Sequence, residues 1–170
     1  KGNTSTVVTA IKGIVNTGNV KVTLDDPHSL TQLKDINDAT SGSITVKKDD
    51  VLLNGTSAIV AAALDGITGY KGSVITSDDH TLPELKTINN ATDGTINLHN
   101  VNVPLTGTVA DLKDALDGIS YKGAITISNN ANDAVAATDI TTIANATTAT
   151  PVIANQIVIE GLASAVNTTF

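Results

Sequence analysis

The sequence predicts an α/β repeat array, solenoid-like, of units of about 52 residues that run strand, short helix, strand, strand, helix. Three observations predict it. Residues 81–98, TLPELKTINNATDGTINL, nearly repeat residues 29–46, SLTQLKDINDATSGSITV, so that Leu30, Leu33, Ile36 and Gly42 recur 52 positions on as Leu82, Leu85, Ile88 and Gly94. A weaker echo, TDITTIANATT, lies at 138–148. A helical pattern recurs at 2–14, 55–67 and 107–119, each time opened by glycine and closed by Gly-Ile. Finally, the start and stop signals of both helices recur at matching positions.

The second helix of the unit is clearest at 107–119. Val109, Leu112, Leu116 and Ile119 keep helical spacing. Thr108 is placed to cap the first turn, with Asp111 near the positive helix end. Gly118-Ile119 reads as a left-handed stop with its hydrophobic contact, echoed at Gly13-Ile14 and Gly66-Ile67. The first, two-turn helix opens on capping boxes, Ser29 with Gln32 and Thr81 with Glu84. Pro83 falls in its first turn, where a missing amide costs little. Strands are expected at 20–24, 44–46 and 51–53, with counterparts at 74–76, 95–98, 101–105 and 124–127. The chain then divides into the second half of a repeat (1–19), two full repeats (20–72 and 73–123) and a degenerate, capping repeat (124–170). In the last repeat a polar insert, 129–133, precedes the helix, and strands are expected at 152–153 and 157–159. A two-turn helix cannot bury its face alone, so units should stack, each strand pairing with its equivalent in the neighbouring unit. A compact α/β domain with pseudo-symmetric units is the alternative; a pure β-helix would leave the capping boxes unexplained.

Composition excludes several functions. All ten basic residues are lysines, and against 17 acidic residues they leave a net charge of −7, which argues against nucleic acid as partner. One Phe, two Tyr and no Trp or Met cannot line a large aromatic pocket. Without cysteine there are no disulfides or thiolate metal sites. No run of 18 apolar residues offers a membrane span. The start at Lys1, within a repeat and without Met, reads as part of something longer.

Few residues advertise chemistry. His28 and His80, 52 apart, would form a ladder of imidazoles for metal binding or pH sensing, or else sit as polar loop residues beside the helix start. The acidic turns Asp25-Asp26, Asp49-Asp50 and Asp78-Asp79 offer oxygens to calcium, the one cofactor considered, or else keep solvated turns from sticking edge to edge. The weak metal candidates are thus Asp25, Asp26, Asp78, Asp79, His28 and His80. Tyr70 and Tyr121 would stack sugars or pack the turn between units. Glycosylation sequons at Asn3, Asn54, Asn90, Asn145 and Asn167 read as turn and cap chemistry. No catalytic or phosphate-binding motif is present, so no enzymatic activity is expected.

Residues 81–98, together with VPLTGTVADLKDALDGI at 103–119, resemble repeats of large secreted and surface proteins of bacteria, especially cyanobacteria, which often also carry calcium-binding nonapeptide repeats. The glycine-rich nonapeptide itself is absent. The resemblance covers about residues 2–123 and carries no catalytic residues. It implies an extracellular, cell-surface setting and an adhesin-like or self-assembling parent. The expected partners are copies of itself or neighbouring repeats, and in the adhesin alternative a glycan or protein.

Overall fold

The computed structural model describes residues 2–13 and 18–162. Helix formation follows the sequence signals. Ser29 opens α2 (Leu30–Asp38) with both bonds of the capping box, its hydroxyl accepting from Gln32 N while the Gln32 side chain accepts from Ser29 N. Thr81 and Glu84 do the same for α4 (Leu82–Ala91). These helices turn Leu33 and Ile36, and Leu85 and Ile88, fully inward.

The other helix type comprises α1 (Thr4–Lys12), α3 (Ser57–Leu64) and α5 (Val109–Leu116), capped by Asn3, Thr56 and Thr108. Gly118 adopts φ +68°, and the Ile119 amide returns to the Leu116 carbonyl, which ends α5. Gly66 and Ile67 end α3 in the same way. Gly13 departs from the expectation, with φ −83° in the right-handed region; Ile14 lies outside the described residues. The expected lengths are reversed. The early stop limits α3 and α5 to eight residues, whereas α2 has nine and α4 ten.

The strands are short and all pair in parallel. They do not pair with equivalents 52 residues away. In β1 (Val22–Leu24) Val22 lies against Ile44 of β2 (Ile44–Val46). Leu53 of β3 (Leu53–Gly55) lies against Val74 of β4 (Val74–Thr76), and Val74 against Ile96 of β5 (Ile96–Asn97). The reason is the crossover: parallel neighbours need a return path of a dozen or more residues, and one helix supplies it. Each of α2 to α5 therefore links two paired strands, and one 52-residue repeat contributes several rungs. The expected strands at 51–53 and 101–105 begin two to four residues later, at Leu53 and at β6 (Leu105–Gly107). There the amide of Leu53 finds the Ser73 carbonyl, and that of Leu105 the Ala124 carbonyl.

The chain falls into two compact units, Lys1–His80 with Thr87–His99, and Thr81–Lys86 with Asn100–Phe170. The first holds sheets β1-β2 and β3-β4-β5, with a core centred on Leu24, Leu33, Leu53, Val60, Leu64 and Val74. In it α1 packs on α2 and α2 on α3. The second holds β6, β7 (Ile125–Ile127) and β9 (Val152–Ile153) as one sheet. A second pair joins β10 (Val158–Glu160) to β8 (Ala134–Ala136), a strand that the polar insert hid from the sequence pattern. Here α5 packs on α6 (Ala137–Ala146). The architecture is thus mixed α/β with parallel strands.

Candidate functional site

The six weak metal candidates sit in the turns that follow β1 and β4, and both turns close onto a helix start. Asp26 accepts from the amide and the hydroxyl of Thr4, each at 2.6 Å. Asp78 accepts from the Ser57 amide at 2.7 Å, and Asn129 from the Val109 amide at 2.8 Å. These three residues occupy equivalent places, each capping the α1, α3 or α5 helix from outside. Orphan amides and the positive end of the helix make this a favourable seat for a carboxylate. The Thr4 hydroxyl, then its amide, hold Asp26 below the ordinary carboxylate range. The Ser57 amide does the same for Asp78. These two side chains are therefore helix caps, not simple solvated turns. Asp25 pairs with Lys47 at 2.6 Å, and Asp79 is exposed. Asp49 pairs with Lys71 at 2.9 Å, which lowers its pKa. Among the described residues no group of three or more His, Cys, Asp or Glu is placed to hold a metal ion.

His28 and His80 are buried, at 4% and 2% exposure, and form neither a surface ladder nor a polar loop. His28 Nε2 lies 2.9 Å from the Tyr70 hydroxyl, with the rings edge to face. The Tyr70 hydroxyl lies 2.8 Å from the Val51 carbonyl, which can only accept, so the hydroxyl donates there. His28 Nε2 must then carry the proton and donate to the phenol oxygen. Its Nδ1 is buried without a hydrogen-bond partner, an arrangement for the neutral ring only. Burial lowers the His28 pKa, opposed in part by the Asp26 charge. Burial, then Asp49 and Asp50, push the Tyr70 pKa well above its usual value. The phenol and imidazole are thus locked neutral partners in a packed core.

Tyr70 and Tyr121 are each 1% exposed, which overturns a sugar-stacking role for their rings. Tyr121 repeats the carbonyl bond, to Val103 at 2.7 Å. Three buried threonines that sequence reasoning passed over complete the frame. The Thr92 hydroxyl lies 2.8 Å from the Tyr70 carbonyl and 3.0 Å from that of Gly72, and it accepts from Gly94 N. Thr40 and Thr147 hold their turns in the same way. The recurring Ala-Thr at 39–40, 91–92 and 146–147 was the signal for them. Of the sequons, Asn3 caps α1, and Asn167 lies outside the described residues.

No helix among the described residues is long and apolar enough to cross a membrane. No family model, no curated protein and no solved structure matches the chain.

Proposed function

We propose that the chain is a non-enzymatic structural repeat segment of an extracellular bacterial surface protein, whose units stack in solenoid fashion within a fibre, surface layer or adhesin stalk. One observation carries the reading. The polar side chains that recur from unit to unit are engaged in holding turns and helix ends, namely Asp26 and Asp78, Thr40 and Thr92, Tyr70 and Tyr121. Recurring residues engaged this way serve repetition itself, as expected where each unit is stabilised through its neighbours. The test is to raise antibody to the chain and fractionate the producing cells. Signal on the intact cell surface or in the medium supports the reading, and signal confined to the cytosol overturns it.

A second reading is a binding module for another protein. Val152, Val158 and Leu162 in the last repeat are exposed apolar side chains and favour a protein over a glycan. Binding on a glycan array would overturn that preference.

A further inference from the structure

The repeats carry a lock between successive helices. Leu30, the first residue of α2, lies over Gly55, where a Cβ would run into its methyl group. Leu82, the first residue of α4, lies over Gly107 in the same way. Beneath these leucines the equivalent helix residues are sealed. Val60 and Ala63 in α3, and Leu112 and Ala115 in α5, are all 0% exposed. Asn37, one residue before the end of α2, reaches the α3 terminus and donates to the carbonyls of Ala62 and Asp65 at 2.9 and 2.8 Å. In this pair a leucine at the head of α2 and an asparagine seven residues later therefore clamp α3.

Gly2 and α1 repeat the receiving half of this lock without the leucine. A Cβ on Gly2 would meet only the Val7 side chain, at 4.0 Å. Val7 and Ala10, the counterparts of Val60 and Ala63, are half-buried and exposed. With Ile11, Val20 and Val22 they line an apolar hollow of about 220 Å³. We infer that this face is a socket for one more repeat of the same kind, docked through a helix of the Ser/Thr-Leu-x-x-Leu-x-x-Ile-Asn pattern. Continuity with the two filled locks identifies the occupant. The α6 helix does not qualify, because Ala137 stands where Leu82 does in α4. The socket therefore takes a leucine-bearing repeat, not the last repeat of a second copy. The inference rests on the structural-repeat reading above.

The test joins residues 55–106 directly ahead of Gly2, which sets a copy of Leu82 over Gly2, and follows unfolding and hydrogen exchange. The expected result is one cooperative transition with Tm about 5 °C or more above the parent, and amides of α1 slowed at least about tenfold. Ala10→Lys supplies the second arm. In the 170-residue chain it should leave Tm within about 2 °C, because Ala10 is exposed there. In the fusion it should abolish the gain, as should Leu82→Ala in the added copy. An added repeat that melts separately, with α1 exchange unchanged, overturns the socket. So does an Ala10→Lys variant that keeps the full gain. Neither result touches the surface location of the protein, which fractionation decides on its own.

Discussion

At the scale of single residues, the His28–Tyr70–Val51 chain turns a polar motif into a core element. Tyr70→Phe removes the donor to the Val51 carbonyl and the acceptor for His28 Nε2 together. Leaving two buried groups without partners should cost about 1–3 kcal/mol, seen as a lower denaturant midpoint at unchanged slope. The pH dependence follows from the same bonds. The folded-state pKa of His28 lies below its ordinary 6.5. Its contribution is therefore full above pH 6.5 and is lost as the pH falls from there through the folded value. Asp26, the charge acting on this ring, has a folded pKa below 3.8. Its contribution persists above 3.8 and is lost only in stronger acid, as the pH falls through the folded pKa. His28→Val borrows the residue found at the equivalent Val135 of the last repeat. It should flatten the loss of Tm just below pH 6.5 while leaving the acid limb in place.

At the scale of elements, the starts of α1 to α5 are tied down, but by different partners. Ser29→Ala breaks the capping box of α2 and should cost about 1 kcal/mol in chemical unfolding. Asp78→Ala removes the external cap of α3 and should lower Tm at neutral pH, with no difference from the parent once the medium is acid enough to protonate Asp78. A calcium site in these turns would predict otherwise. With Asp26 and Asp78 already committed to helix amides, Tm measured with calcium and with chelator should coincide. A calcium-dependent rise would show that oxygens elsewhere bind the ion. Along the strands, parallel pairing at one helix per crossover explains why strands this short persist: each is held by a neighbour and by the helix returning over it.

At the scale of the whole molecule, the core is mostly aliphatic, with Tyr70 and Tyr121 its large aromatic side chains. Leu33→Ala, in the centre of the first unit's core, should cost about 2–5 kcal/mol, because close-packed Leu, Val and Ala neighbours cannot collapse into the gap. The ion pairs Lys12–Asp35, Lys86–Asp111 and Lys113–Asp139 recur on partly exposed helix faces. Raising salt should change stability little, since pairs this open to solvent are weak and screened.

Apart from β8, sequence alone determined the element types, their order and much of their boundary chemistry. Capping boxes, the Gly-Ile stops and the spacing of Leu30, Leu33 and Ile36 are local signals, readable because they act within a few residues. Tertiary structure decided the rest. Strand pairing at one-helix spacing depends on the return path, which a 52-residue sequence period conceals. The capping role of Asp26, Asp78 and Asn129 depends on a helix 20 to 22 residues earlier in the chain. The burial of His28 against Tyr70 spans 42 residues. A polar side chain in a turn reads as solvated until a distant donor reaches it, and only the folded chain brings that donor within hydrogen-bond distance.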